Sequence, residues 1–430
     1  MGAAAGLFAA AGGLGRLTLR PLEALASQSA LAPVKVGALL DFTGPLGEFG
    51  PHHRNALELA ARQINQAARE VFGGPILQLI YEDASTTPSI GVDRARKLVE
   101  VDRVPAIIGA LATGVTVPVA ESVTIPAGVL QITHSGTSPL LSVLPADQGK
   151  DLLFRTVASD ALQAVVAAQL AAGELVPGYR FSRAAVIYVN NPYGQGLASV
   201  FAESFKRRGG VVTAQVAVPE EPKPTYTPEL AAALRDNPDV LVAATYPGQA
   251  TVYLKEAVDV FGFKRFQFTD GTKSEEIVKV LGAGLVEGQL GTTPASDPQW
   301  AGWSRFAEAY QAAYGARPNL PYMDTAYDAV AVVGLAIARC LADGVPVTGV
   351  NLRDRLRRVS NPPGERVGVG DFAQALRLIR QGRDVDYTGA AGEVDFDENG
   401  DVITPVEIWR YHGGAIETVA IRRPNEIPRQ

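Results

Sequence analysis

Residues 104–116 read VPAIIGALATGVT, and their reading sets the class of the fold. VPAIIGA (104–110) is an unbroken apolar run of strand length. The chain leaves it through Leu111-Ala112-Thr113-Gly114 and enters a short helical pattern over Val115–Ser122. A continuously apolar strand feeding a helix is half of a βαβ unit, whose parallel sheet is covered on both faces and shows no polar alternation. The same alternation extends both ways. Upstream, VKVGALL (34–40) and ILQLIYE (76–82) read as strands. A helix over Asn55–Ala68 carries Leu57, Ala60, Ala61, Ile64 and Ala67 on one face, and a second helix spans Ile90–Val101. Downstream, Val129–Thr133 is the next strand.

After Asp160 the pattern restarts. Helices are expected over Leu162–Leu175, Gly196–Arg208, Glu229–Asp236, Gln249–Phe261 and Ser274–Leu281. Strands are expected over Ala184–Asn190, Val211–Val218, Asp239–Thr245 and Phe266–Thr269. The fold class is therefore α/β, two doubly wound parallel-sheet units in series. Two amphipathic helices follow, Trp300–Tyr314 and Asp324–Ala342; the second aligns Ala326, Val330, Val333, Ile337 and Leu341, with Cys340 beside that stripe as a buried structural thiol. The tail turns to β structure: GEVDFDENGDV (392–402) suggests a hairpin about Asn399-Gly400, before strands Val406–Tyr411 and Glu417–Ile421. Segments 219–228 and 361–371 read as Pro/Gly-rich surface loops.

Composition narrows the function. With 430 residues, 47% of them hydrophobic, the chain can bury two or three cores. A net charge of −6 and no clustered basic face argue against nucleic acid and acidic membrane surfaces. No window of eighteen residues is apolar and free of charge and Pro, so no membrane span is expected. One cysteine excludes an intrachain disulfide. Residues 1–33 begin small and apolar and pass to small residues at Ala24-Leu25-Ala26, the outline of an export signal, against the alternative of a disordered leader. The run GAAAGLFAAAGGL resembles the middle of twin-arginine signals, whose arginine pair would lie upstream of Met1.

Catalytic signatures are absent from the sequence: there is no GxSxG, HExxH, Walker loop or CxxC. Gly282-Ala283-Gly284 follows a helix, the wrong context for a dinucleotide fingerprint. Asp395, Asp397, Asn399 and Asp401 have the look of a calcium loop, but position twelve would be Val406, which offers no carboxylate. The pair His52–His53 reads as a solvated helix start. No catalysis, cofactor or metal is expected. More informative are polar residues where strands pass into helices. Thr113 stands where a helix N-cap would, and in Thr133-His134-Ser135-Gly136-Thr137-Ser138-Pro139 the junction repeats, with Pro139 suited to the first helical position. Ligands of parallel sheets bind at such carboxyl ends, and two helix N-termini with hydroxyls would form a carboxylate site; plain helix capping explains the same residues equally well. In the second unit, Asn190-Asn191-Pro192-Tyr193-Gly194 and Thr269-Asp270-Gly271 occupy equivalent junctions, where an Asp can pair with a ligand ammonium and a Tyr can pack against it.

In order along the chain, VGALLDFTGPLGEFG (36–50), YEDASTTP (81–88), IIGALATGVT (107–116), ITHSGTSP (132–139), FRTVASD (154–160), VIYVNNPYGQG (186–196), FTDGTKS (268–274), YDAVAV (327–332) and GEVDFDENGD (392–401) resemble the periplasmic solute-binding proteins for leucine, isoleucine and valine. That family has the type I binding-protein fold of ABC importers. The resemblance implies lobe 1 from 34–155 and 293–388, lobe 2 from 156–292 and 393–430, and a three-segment hinge whose third crossing is 389–392. It implies that Thr113 binds a ligand α-carboxylate together with Ser135, through its backbone, and Thr137; that Asp270 takes the α-ammonium; that Tyr193 closes over the ligand; and that Phe49 lies beside the ligand side chain. Thr245 falls where several relatives place a pocket Tyr, with Tyr246 next to it. Cysteines that some relatives pair are missing at Ser85 and Ala112. The expected protein is an exported, periplasmic receptor that closes on a small amino acid, aliphatic or branched-chain, and docks on an ABC permease. The alternatives are a non-amino carboxylate such as an aromatic acid as ligand, or a sensor of amides or amino acids.

Overall fold

The computed structural model describes residues 32–428; the expected export signal falls almost wholly outside them. The first sheet is all parallel, in the order β2-β1-β3-β4-β5, with β1 Val34–Leu40, β2 Leu77–Asp83, β3 Ala106–Gly109, β4 Leu130–Thr133 and β5 Leu153–Arg155. The second has the order β14-β13-β10-β9-β8-β6-β7. Here β6 Arg183–Val189, β7 Val211–Val218, β8 Val240–Ala244, β9 Phe266–Phe268 and β10 Leu290–Pro294 are parallel, while β13 Val406–His412 and β14 Ala415–Arg422 add an antiparallel edge. A small parallel pair, β11 Glu365–Gly368 and β12 Val385–Thr388, lies on lobe 1. The apolar runs explain the pairing: every residue of β3, β4 and β8 is buried, as a strand covered on both faces requires.

Helices pack on both faces of each sheet. Phe49–Phe72 lies along Met323–Asp343, the latter so apolar that residues Met323–Cys340 are buried almost without break. Cys340 is fully buried within it, and burial pushes its thiol up to about 11. Gly334 marks where this helix meets the first: a Cβ there would stand 2.7 Å from Ile64 Cδ1.

Segment 361–371, read as a surface loop, contains β11, and three further departures bear on the tail and the lobe crossings. The tail hairpin turns at Gly413-Gly414, both at positive φ, and not at Asn399-Gly400. Two consecutive left-handed residues are what a tight hairpin demands, and paired glycines meet that demand without strain. Asn399-Gly400 does turn, but its flanks pair with no strand of their own: Arg155 N–H donates to Gly400 O at 3.0 Å, and the Asp397 carboxylate accepts from the Asn399 and Asp401 amides. Second, the third crossing falls later than 389–392. Phe396 meets Phe154 of β5 edge-on at 5.1 Å, its carbonyl accepts from Asn361 Nδ2 at 2.9 Å, and Asp401 pairs with Arg155 Nη2 at 2.7 Å. The chain therefore passes to the second sheet only at 403–405, beside the second crossing, where Ala295 N–H donates to Pro405 O. Third, β10 carries that second crossing past Pro294 rather than ending at 292.

Candidate functional site

On the lobe 1 side, β3 and β4 end one beside the other and deliver two turns to the cleft. The helix Thr113–Val119 starts at Thr113 itself; Ala112 occupies the cap position and supplies no side-chain bond, so Thr113 is not the N-cap. Its hydroxyl is thereby left for the cleft, engaged only by a long 3.5 Å approach from Ser138 N–H. Ser135 Oγ donates to Leu111 O at 2.8 Å and Thr133 Oγ1 to Ala110 O at 2.8 Å, which locks the two turns together. Pro139 does open a helical turn, Pro139–Val143, capped by Ser138.

On the lobe 2 side, Asn191 caps the helix Pro192–Arg207 by accepting from Gly194 N–H at 3.1 Å, which fixes Tyr193 in the first turn. Tyr193 stacks on Tyr246 with ring centres 5.5 Å apart and planes 12° from parallel. Asp270 opens a single turn after β9. Its Oδ1 accepts from Tyr193 OH at 2.9 Å and Gln163 Nε2 at 2.8 Å, and its Oδ2 from Tyr322 OH at 2.7 Å. Burial pushes its carboxyl up, while these donors partly hold it down.

Thr113, Ser135, Phe49, Tyr193, Tyr246 and Asp270 line one small cavity between the lobes. Thr137 is buried behind it, its carbonyl accepting from Asp160 N–H at 2.8 Å and from Arg155 Nη1 at 3.1 Å. Thr245 lies beneath Tyr246 with its hydroxyl 2.8 Å from Tyr253 OH, outside the lining.

Leu46 and Tyr322, not singled out from the sequence, also line the cavity. Tyr322 sits at φ 68°, a left-handed conformation that an aromatic residue adopts only when its surroundings impose it. A loop residue in that conformation leaves no periodic signal. Asp160, first residue of the helix Asp160–Ala171, is fully buried, and neither carboxylate oxygen has a hydrogen-bond donor. Burial and then the nearby Asp270 charge push its carboxyl well above the usual range. His53 is not solvated. It is fully buried, its Nδ1 2.9 Å from His134 Nε2 and its Nε2 2.9 Å from Pro321 O. Burial holds its imidazole down at about 4 and that of His134 lower than usual, so both are neutral. Since a carbonyl only accepts, His53 carries its proton on Nε2 and accepts at Nδ1 from His134.

The lobes are closed. Ser138 Oγ donates to Pro192 O at 2.8 Å across the cleft. Glu48 of lobe 1 accepts from the Ser274 hydroxyl and from the Glu275 and Glu276 amides at 3.0 and 3.2 Å, capping the lobe 2 helix Glu275–Leu281.

A family model described as periplasmic binding protein matches residues 33–415. The chain is 28% identical over 402 residues, 90% of its length and 89% of the other, to the chemotactic signal transduction system substrate-binding protein BasB of Halobacterium salinarum. The branched-chain amino acid transporter substrate-binding protein LivJ of Streptococcus pneumoniae, solved with isoleucine, superposes with a TM-score of 0.72 at 21% identity, covering 91% of this chain and all of that one. A solute-binding protein of an ABC transporter from R. palustris, solved with benzoate, superposes with a TM-score of 0.69 at 18% identity, covering 91% and 97%. With two parallel-sheet lobes closed on a cavity at their strand ends, and a family match across nearly all the described residues, the chain belongs to the periplasmic binding protein family and has its type I fold.

Proposed function

We propose that this protein is an extracytoplasmic receptor that closes on one small amino acid, aliphatic or branched-chain, delivers it to an ABC permease, and catalyses nothing. The carrying observation is the division of the cavity wall: the Thr113 hydroxyl and the adjoining backbone turn on lobe 1, and the buried Asp270 carboxylate with Tyr193 on lobe 2. A zwitterion satisfies both walls at once, its carboxylate on the hydroxyl side and its ammonium on Asp270. Phe49, Leu46 and Tyr246 leave apolar surface for an uncharged side chain. Thr137, lying behind the wall, would act through the turn that holds Ser135. A ligand favours the closed lobes only by its differential affinity for them, and contacts to both walls supply that difference. Micromolar affinity needs about 8 kcal/mol, within reach of a few charge-assisted bonds plus apolar burial.

One observation favours a second reading. Both oxygens of Asp270 already accept hydrogen bonds from neutral donors, Tyr193, Gln163 and Tyr322. A ligand without an ammonium leaves that set undisturbed, which suits an aromatic or aliphatic carboxylate of the kind seen in the R. palustris structure. Calorimetry of the ligand-stripped protein against twenty amino acids and a set of aromatic and aliphatic acids separates the two. Tight binding confined to aliphatic amino acids is the expected outcome; binding confined to acids without an amino group overturns the first reading and establishes the second.

A further inference from the structure

Away from the cleft, β11, β12 and the segment after the turn at Gly389–Gly392 bring three carboxylates together on the surface of lobe 1. One oxygen from each of Asp386, Glu393 and Asp395 lies within 4.8 Å of the others. Oxygens on one calcium ion, each roughly 2.4 Å from it, stand at most about 4.8 Å apart, so this spacing lies within the outer bound for sharing an ion. Short backbone pairing fixes them: Asp386 is in β12, and Thr388 bridges Glu393 in antiparallel fashion. Asp386 is only 7% exposed, and its Oδ1 is buried with no hydrogen-bond partner. Arg366, 62% exposed at its side chain, is the one cation pairing with the three acids among the described residues; it pairs with Glu393 and stands 4.0 Å from Asp386. Three acids against one arginine leave a local excess of negative charge. Burial and then their mutual repulsion push the Asp386 and Asp395 carboxyls up, with Arg366 opposing.

We infer that Asp386, Glu393 and Asp395 form a binding site for a hard divalent cation, calcium by its all-oxygen ligands, which replaces the Arg366 guanidinium as their counter-charge. The carboxylates supply three or more of the six to eight oxygens that calcium takes, with water completing the shell. The inference is independent of the solute in the cleft.

The test is a calorimetric titration of the chelator-treated full chain with calcium chloride, repeated on two exposed-site variants. Wild type binds with a dissociation constant of about 0.1–1 mM, the range of surface calcium modules. Asp395→Asn, a substitution at an exposed position that leaves the core alone, weakens binding roughly tenfold or more. Arg366→Gln removes the competing cation and tightens binding several-fold, an effect that mere loss of structure would not produce. No heat and no rise in melting temperature up to about 10 mM calcium overturns the site, as does unchanged affinity in Asp395→Asn or weakened affinity in Arg366→Gln.

Discussion

Asp160 and Asp270 are the residues whose environment most departs from that of a surface carboxylate. Both are buried beside the cavity, and both carboxyls are pushed up, Asp270 by burial and Asp160 by burial and then by its neighbour. The charged groups around the pair are few: Arg155 favours ionisation of Asp160, while Tyr193 and Tyr322 face Asp270 as neutral phenols. Two acids raised together in one buried site favour sharing a proton, and an arriving ammonium displaces it. Amino-acid binding should release up to about one proton, measured as the dependence of binding enthalpy on buffer ionisation enthalpy, and Asp160→Asn should reduce the release. A release of zero in wild type contradicts this picture. Asp270→Asn, which removes the buried counter-charge, should weaken amino-acid binding by about 3 kcal/mol or more, roughly two orders of magnitude by calorimetry. Thr113, Ser135, Tyr193 and Asp270 stood out in the sequence because each sits at or just after a strand-to-helix junction, whereas Phe49 and Tyr246 were pointed to by the family resemblance alone. Tyr322 and the buried Asp160 did not stand out, since a left-handed loop residue and an unpartnered acid in a helical first turn carry no pattern.

At the level of elements, most apolar runs reported themselves, including the short β4 and β9, while other short strands did not. β1 and β7 have the bounds read from sequence, whereas β5 and β12, three and four residues long, are held by neighbours that only the folded chain supplies. The helix Phe49–Phe72 begins six residues before its expected start, because Phe49, Gly50 and His53 bury against lobe 1 instead of facing water. The tail shows the same limit: Asn399-Gly400 and Gly413-Gly414 are both turn signals, and only strand pairing decides which closes a hairpin. The closing contact belongs to this scale too. Glu48 supplies to the helix Glu275–Leu281 a charged cap from the opposite lobe, in addition to Ser274. Glu48→Ala should leave each lobe folded but speed ligand dissociation roughly tenfold, the equivalent of about 1–2 kcal/mol for a cap bond to a charged group. Stopped-flow dissociation reads this, and an unchanged rate means the contact does not hold the lobes together.

For the whole molecule, buried ionisable groups set opposed pH trends. Asp41 and Asp328 are raised by burial to about 7, so the stability they give is full below pH 3.8 and is lost as pH rises to about 7. His53, held down at about 4 by burial, gives stability that is full above pH 6.5 and is lost as pH falls towards 4. Within that window the two trends cancel in part. His53→Gln, which keeps a donor for Pro321 O, removes one side of the balance. Its melting temperature should rise relative to wild type as pH falls from 6.5 to 4, by the equivalent of up to about 3 kcal/mol; a constant difference across that range would show that His53 does not resist protonation.

The proposed function depends on a zwitterion spanning two lobes. A crystal structure with the tightest-binding aliphatic amino acid from the calorimetric panel would show where it lies. The ligand carboxylate should rest on Thr113 and the Ser135 turn, and its ammonium on Asp270 within about 3 Å. A ligand bound outside the cleft, or one whose ammonium points away from Asp270, would contradict the proposed recognition.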